Sequence, residues 1–218
     1  VINKTASPDL TGEFAGGLVQ ITTKDIPTKN SITVGFGLGF NTQSVFKDFI
    51  SNERGKNDWL GFDDRRELPS SYPKKYGAFD ALPEADRLII SSSFRDDVWV
   101  EKQSTAVPVQ SYNITWANAV RGIKGGAFGS IVGVTYRNSK LLYTAKKTLF
   151  ENDGATNIFD YTDNQNKYNT NLGAIANLAW TKKNHKIAFK NLYNQLFEDN
   201  YYQRNGTSDN IQNVQLRS

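Results

Sequence analysis

The chain is organised around residues 9–24, which read Asp9-Leu10-Thr11-Gly12-Glu13-Phe14-Ala15-Gly16-Gly17-Leu18-Val19-Gln20-Ile21-Thr22-Thr23-Lys24. Gly16 and Gly17 supply backbone freedom that other residues lack, including positive φ, and they predict a tight turn. The residues after this pair are mostly β-formers, and the run ends where Asp25 to Pro27 begins. The stretch therefore predicts a glycine turn that leads into a short buried strand.

The next patterned stretch covers residues 32–41 and reads Ile32-Thr33-Val34-Gly35-Phe36-Gly37-Leu38-Gly39-Phe40-Asn41. Apolar residues alternate with small or polar residues without a break, which is the period of a β-strand. One face is apolar, and the other carries the glycine row Gly35, Gly37 and Gly39. Such a row lets a neighbour approach the strand closely. It does not predict a phosphate loop, because that motif needs G-x-G-x-x-G at a strand-to-helix turn.

Residues 13–24 resemble the end of the plug domain of TonB-dependent outer-membrane receptors. In that family a glycine pair leads into a hydrophobic strand that ends in Thr-Lys, and the chain then enters the first barrel strand. The variant at residues 9–17 is similar to receptors of the Bacteroidetes type, and residues 133–139 resemble early barrel strands of the same receptors. The resemblance implies a plug–barrel junction at five positions, which are Phe14, Gly16, Gly17, Ile21 and Lys24.

Composition excludes several classes of protein. The 218 residues suggest one or two domains, and the lack of cysteine excludes disulfides and thiolate metal sites. The chain contains no run of about 18 apolar residues, so the sequence predicts no transmembrane helix. The 26 basic and 22 acidic residues are spread along the chain, so we expect no nucleic-acid surface. Because methionine is absent even at position 1, and no signal peptide opens the chain, we expect a fragment or a processed product.

The remaining pattern predicts six strands and three long connections. We expect residues 1–28 to be the C-terminal end of a plug and residues 29–218 to be the N-terminal part of a barrel. The predicted strands are 31–42, a hairpin over 112–137, a pair at 171–180 and 186–196 joined by a turn at 182–184, and 211–218. The predicted connections are 43–106, 141–170 and 198–210, the first with a short helix near residues 82–90.

Long and short connections thus alternate, which is typical of transmembrane β-barrels with short periplasmic turns and long extracellular loops. We therefore expect an all-β fold, namely a transmembrane antiparallel β-barrel with an N-terminal plug in the bacterial outer membrane. Six strands cannot close such a barrel, because bacterial barrels have at least about eight. Plugged transporters have about 22 strands, so the other strands would lie outside this sequence.

Alternation alone does not identify the face that touches lipid, because a soluble barrel also alternates, with its apolar face inward. The other face of the first and fourth predicted strands carries Thr, Gly, Asn and Ala rather than the Lys, Glu and Arg of a water-facing strand. This favours apolar side chains that point to lipid and a glycine row that faces a plugged lumen. An apolar face turned inward would contradict this interpretation.

Candidate catalytic and metal-binding residues are few. His185 is the single histidine and lies beside a predicted turn, and the acid pairs Asp63-Asp64 and Asp96-Asp97 lie in the first long connection. We interpret these side chains as solvent-exposed turn and loop residues rather than as general acids or bases. Asn152-Asp153-Gly154, Asp160 and Asp163 could collect calcium but lack the spacing of a known calcium loop. We expect no enzyme activity, no cofactor and no metal site.

Aromatic residues in the predicted loops are the better candidates for contacts. These residues are Trp59, Phe62, Tyr72, Tyr76, Trp99, Tyr201 and Tyr202. They could grip a ligand or a surface partner, because aromatic side chains bring a large area at low entropic cost. They could equally pack the long loops onto each other, since ordering such a loop requires its own small core.

The resemblance implies energised uptake of a ligand across the outer membrane, with TonB acting on plug segments that lie outside this chain. The implied partners are outer-membrane lipid, TonB and an unknown transported ligand, with a surface lipoprotein as a further candidate. The plug end departs from the pattern of SusC-type glycan importers, so a SusD-like lid is not implied. Two alternatives remain open: a non-transport barrel for docking, secretion or adhesion, and a soluble all-β binding module.

Overall fold

The computed structural model describes residues 2–3, 18–19, 25–96, 100–122, 125–208 and 211–217. These residues form mostly antiparallel β-sheet. The elements are β1 (Ile2–Asn3), β2 (Leu18–Val19), β3 (Ser31–Gly39), β4 (Asp48–Asn52), α1 (Glu84–Ser92), β5 (Glu101–Thr105), β6 (Val109–Arg121), β7 (Gly126–Phe150), β8 (Asn157–Lys182), β9 (His185–Ser208) and β10 (Ile211–Arg217), with a 3₁₀ turn at Asp58–Leu60.

The six predicted strands form one six-stranded sheet, in the order β10-β9-β8-β7-β6-β3. The strands β4 and β5 pair separately, as do β1 and β2. The neighbours of the glycine row show in which direction β3 runs relative to β6. A Cβ atom built at Gly35 would overlap Asn113, one at Gly37 would lie 2.5 Å from Ser111 Oγ, and one at Gly39 would lie 3.2 Å from Val109 Cβ. Because one number rises as the other falls, the two strands are antiparallel.

The first long connection has the expected length and more structure than expected. It holds β4, the 3₁₀ turn, α1 and β5, all between β3 and β6. The predicted short helix is confirmed as α1, with Pro83 at its N-cap and Glu84 and Asp86 in its first turn. Acidic residues in the first turn are favourable there because the N-terminus of a helix carries partial positive charge.

The second and third predicted connections are wrong, because residues 141–170 and 198–210 lie mainly in strands. The strands β7, β8 and β9 have 25, 26 and 24 residues, and only residues 151–156 separate β7 from β8. Polar composition was misleading because the polar side chains pair across strands. Thr144 Oγ1 donates to Asn164 Oδ1 at 3.0 Å, and Lys167 Nζ lies 3.0 Å from Glu198 Oε1. The expected alternation of long and short connections is therefore absent after β6.

The chain divides into two compact units, which are described separately. Unit 1 comprises residues 1–32, 116–132 and 175–191, and unit 2 comprises residues 33–115, 133–174 and 192–218. Unit 1 contains the turn at 183–184. Lys183 adopts φ 51°, which explains the tight turn that the sequence predicted there.

Unit 2 contains the main hydrophobic cluster. The buried side chains Phe49, Ala106, Tyr168 and Phe197 meet there, with Leu142 packed against them. Ring centroids of Tyr168 and Phe197 lie 6.1 Å apart in an edge-on arrangement. Since Phe49 and Ala106 belong to the connection between β3 and β6, this connection folds onto the strands β8 and β9 of its own unit.

Candidate functional site

An exposed apolar face is the most unusual feature of both units. In unit 2, Val34 is 70% exposed and Phe36 is 63% exposed. Further large apolar side chains on the strands of unit 2 are also exposed, and these are Leu38, Tyr112, Ile114 and Val134. Unit 1 presents the same kind of surface through Ile32, Trp116, Val120, Phe128, Val132, Leu178, Trp180, Ile187 and Phe189. Contiguous apolar patches of this kind mark surfaces that contact lipid or protein rather than water.

The side chains between these apolar positions are small or polar, and several of them are buried. In unit 1 they include Ala117, Asn177 and Ala179, which are each less than a tenth exposed. In unit 2, Gly173 lies so close to Thr135 that a Cβ atom would be 2.6 Å from its hydroxyl oxygen. The strands of unit 1 thus expose large apolar residues and cover several of the small and polar residues between them, the reverse of a water-soluble sheet, whereas Tyr168 and Phe197 of unit 2 are buried.

The sequence predicted a plug beside the glycine row, and the structure places side chains of the adjacent strand close to it. In unit 2 the space beside Gly35 and Gly37 is filled by Asn113 and Ser111 of the adjacent strand. Ser111 Oγ also donates to the Gly37 carbonyl at 3.2 Å. The five predicted junction residues, Phe14, Gly16, Gly17, Ile21 and Lys24, lie outside the described residues.

The segment that precedes β3 packs closely against another glycine, Gly129. In unit 1, a Cβ atom at Gly129 would lie 2.8 Å from Ile26 Cα and 3.0 Å from Pro27 Cδ. The backbone N–H of Ala119 donates to Asn30 Oδ1 at 2.6 Å, and Arg121 Nη2 donates to the Thr28 carbonyl at 3.4 Å. Residues 26–30 are therefore held against β6 and β7 by close packing and by hydrogen bonds.

A charged contact ties the same segment to β9. The carboxylate of Asp25 pairs with both Lys186 and Lys190 in unit 1. Sequence reasoning missed Asp25, Lys186, Lys190 and Gly129, and no local signal could have found them. Asp25 and Lys186 are 161 residues apart, so only the folded sheet brings them together.

A second charged group lies in unit 2, where Asp163 is completely buried. Arg204 Nε and Nη2 donate to its two carboxylate oxygens at 2.7 and 2.8 Å, and Lys147 Nζ lies 2.9 Å away. The hydrogen bonds from Arg204 outweigh the effect of burial and hold the pKa of the Asp163 carboxyl well below its usual range. The site is a structural ion group, because all three side chains satisfy one another.

The connection between β3 and β6 is fastened to the strands of unit 2 at several points. Asn166 Oδ1 accepts the Ile50 N–H at 3.1 Å, and Ser44 Oγ accepts the Leu142 N–H at 2.9 Å. Arg54 lies over the Tyr168 ring, with its Cζ 3.2 Å from the ring centroid. A polar groove of about 510 Å³ remains beside this connection, lined in part by Gln43, Lys47, Asp48, Asn164, Asn166 and Gln203.

The predicted loop aromatics do not come together as one site. Trp59 is 56% exposed and packs against Tyr136, whose hydroxyl donates to the Trp59 carbonyl at 2.7 Å; Phe62 is also exposed. Tyr72 instead stacks on Phe79, with ring centroids 5.2 Å apart, as expected if loop aromatics pack within the loop. Tyr201 and Tyr202 lie on β9 rather than in a loop, and Tyr201 is buried. Trp99 is outside the described residues.

The residues considered for catalysis or metal binding are also separated. His185 is exposed at the start of β9, and Asp96 is exposed after α1, while Asp97 lies outside the described residues. Asp63 and Asp64 lie in the connection of unit 2, where Asp63 accepts a hydrogen bond from Arg66 Nε at 2.6 Å. Within the ranges that the structure describes, no three His, Cys, Asp or Glu side chains converge as a metal site would require.

Two further findings bear on the class of protein to which this chain belongs. Among the described residues, none of the helices has the length and apolar character needed to cross a membrane. Comparison with protein-family models, with curated proteins and with solved structures found no match. The class of protein therefore rests on the residues themselves, which define a mainly antiparallel β protein with an exposed apolar face.

Proposed function

We propose that this chain is part of a TonB-dependent outer-membrane receptor that takes up a ligand across the outer membrane. The observation that carries the proposal is the polarity of the strands in unit 1, which expose large apolar side chains at alternate positions while Ala117, Asn177 and Ala179 between them are buried. A bilayer is the surrounding that such a face requires, because exposed apolar patches of this extent are unfavourable in water. The sequence pattern of residues 9–24 supplies the link to this particular family.

In this proposal the segment before β3 is the end of the plug, and its contacts support that role. In unit 1, residues 25–30 contact β6, β7 and β9 through the ion pair of Asp25, the hydrogen bond of Asn30 and the close approach at Gly129. A plug that rearranges when TonB acts on it must keep one end attached to the barrel wall. The ion pairs of Asp25 provide such an attachment at the point where the plug would end.

The long connection between β3 and β6 would then be the first extracellular loop. Its contacts with β7, β8 and β9 make it a folded part of unit 2, with its own buried residues such as Phe49 and Ala106. Trp59 and Phe62 remain exposed on it and offer apolar contact area to a ligand or partner.

Nutrient-limited growth tests the uptake function. A strain that lacks the gene is compared with its parent on media limited in turn for chelated iron, cobalamin and single glycans. We expect the mutant to lose growth on one limiting nutrient, and a strain without TonB to lose growth on the same nutrient. Normal growth of the mutant on every medium, together with loss of adhesion or secretion, would favour a non-transport barrel instead.

A further inference from the structure

Two buried carboxylate oxygens without donors lie in the first connection of unit 2. Asp58 is 5% exposed, and its Oδ2 accepts the Gly55 N–H at 2.9 Å. Asp64 Oδ2 accepts Asn57 Nδ2 at 3.0 Å. The other oxygen of each carboxylate, Oδ1, is buried and has no hydrogen-bond partner among the residues that the structure describes. Buried carboxylate oxygens require a partner, because an uncompensated buried charge is strongly unfavourable.

These two oxygens converge on one point beside Gly55. A Cβ atom at position 55 would overlap Asp64 Oδ1 and would lie 2.7 Å from Asp58 Oδ1. Only glycine fits at position 55, because Asp64 Oδ1 occupies the place that a Cβ atom would take and Asp58 Oδ1 lies beside it. Two negatively charged atoms at one position repel each other unless a proton or a cation lies between them.

The nearest arginines make their hydrogen bonds and ring contacts with other side chains, although Arg54 and Arg66 also attract the Asp58 carboxylate. Arg66 donates to Asp63 at 2.6 Å and lies 3.4 Å from Asp199, and the Arg54 guanidinium lies over the Tyr168 ring. Neither Oδ1 atom receives a hydrogen bond from these arginines, so the two carboxylates lack a donor where they approach each other.

We propose that Asp58 Oδ1 and Asp64 Oδ1 bind a hard divalent cation, and that Ca²⁺ is the cation that fits. Calcium accepts six to eight oxygen ligands in flexible geometry, including carboxylates, amide oxygens, backbone carbonyls and water. Asn57, whose amide nitrogen contacts Asp64, carries an amide oxygen of the kind that calcium accepts. With two carboxylates, the affinity falls in the weak range of extracellular modules, with a Kd of about 10⁻⁴–10⁻³ M.

The acids that the sequence suggested for calcium are unsuitable, because each is already paired. Asp153 Oδ1 accepts the N–H groups of Ala155 and Thr156, and its Oδ2 accepts the Thr156 hydroxyl at 2.5 Å. Asp160 pairs with Lys146 and Thr148, and Asp163 pairs with Arg204. The contrast makes Asp153 a matched control, since it is an acid of the same type in a turn of the same unit.

The ion would stabilise the turn that carries two contacts to the sheet of unit 2. Trp59 follows Asp58 directly and accepts the Tyr136 hydroxyl, while Gly61 accepts Gln195 Nε2 at 2.7 Å. Removal of calcium would therefore loosen residues 55–64 and expose Trp59 further. This inference does not depend on uptake, so it can fail or succeed independently of the proposed function.

Calcium binding to the purified full chain tests the site. Isothermal titration with CaCl₂ is run on the wild-type protein and on Asp58→Asn, Asp64→Asn and Asp153→Asn. We expect one saturable site in the wild type, weakening by roughly tenfold or more in the first two variants, and no change in the third. Terbium luminescence excited through Trp59 reports the same site, and Trp59→Phe should abolish that signal.

The variant Asp64→Asn guards against misfolding, because Asp64 is less buried than Asp58. Absence of saturable binding to the wild type up to about 10 mM CaCl₂ would overturn the proposal, since this exceeds the expected Kd. Equal affinity of wild type and Asp64→Asn, or equal weakening by Asp153→Asn, would also overturn it.

Discussion

At the scale of the residue, Asp163 illustrates how charge is accommodated in unit 2. The sequence suggested it as a calcium ligand in a polar loop, but it lies on β8 with Lys147 of β7 and Arg204 of β9 on either side. The bidentate geometry of Arg204 is the arrangement in which a buried carboxylate is best stabilised. The sequence identified Asp163 as a candidate ligand, whereas its partners Lys147 and Arg204 follow only from strand pairing.

The substitution Asp163→Asn should lower the free energy of unfolding by about 1–3 kcal/mol at pH 7, because it leaves Arg204 without its partner. The pKa of the carboxyl is lowered in the folded protein, so the ion group stabilises fully above the ordinary value of 3.8. Its contribution is lost as the pH falls below that value. Denaturant unfolding of both proteins between pH 7 and pH 3 measures the difference.

The exposed acid Asp80 provides the control, and Asp80→Asn should leave stability unchanged within about 0.5 kcal/mol. A difference between wild type and Asp163→Asn that stays constant down to pH 3 would show that the ion group does not contribute through its charge.

At the scale of the element, β3 combines two faces with different requirements. Its odd positions from 35 to 39 are glycines, of which Gly35 and Gly37 accommodate Asn113 and Ser111, and its even positions expose large apolar side chains. The sequence predicted both faces, because a period of two residues alone determines which side chains share a face. It did not reveal that side chains of β6 fill the space beside the glycines.

The substitution Phe36→Arg distinguishes a lipid-facing strand from a water-facing one. In a bilayer, arginine near the midplane costs about 2–4 kcal/mol. In water, the same change at a residue that is 63% exposed should alter stability by no more than about 0.5 kcal/mol. Denaturant unfolding in phospholipid vesicles measures the cost.

The matched change is Tyr76→Arg, because Tyr76 is fully exposed in the first connection and should tolerate a charge in either environment. If Phe36→Arg were as harmless in vesicles as Tyr76→Arg, the apolar face of β3 would not lie in the bilayer.

The lengths of β7, β8 and β9 show where pattern analysis fails for an element. A strand that crosses a membrane needs about 9–11 residues, and these strands have 24 to 26. The polar half of each strand continues in the same sheet as its apolar half, so hydropathy does not mark where the strand ends. Contacts such as Thr148 to Asp160 show that polar side chains sustain the pairing there.

At the scale of the whole molecule, the proposal places consecutive turns on opposite sides of a membrane. The turn at 151–156 joins β7 to β8, and the turn at 183–184 joins β8 to β9. If β8 crosses the membrane, one turn lies outside the cell and the other in the periplasm. The absence of cysteine makes this testable, since a single introduced cysteine is the only thiol among these 218 residues.

We expect Asn152→Cys and Tyr76→Cys to react with a membrane-impermeant maleimide in intact cells, because both positions are exposed and assigned to the outside. Asn184→Cys, which is also exposed, should react only after the outer membrane is permeabilised. Gel-shift analysis of labelled protein measures both. Labelling of Asn184→Cys in intact cells, at the rate of Asn152→Cys, would contradict the assigned topology.

The sequence by itself determined the β class, the six main strands, the faces of β3 and the position of α1, because these depend on local period and local turn chemistry. Tertiary structure alone decided that residues 141–170 and 198–208 continue as strands, and that Asp25 pairs with Lys186 and Lys190. It also placed Asp58 and Asp64 beside Gly55. The physical reason is that these features depend on partners distant along the chain or on the folding of a connection, which local pattern does not encode.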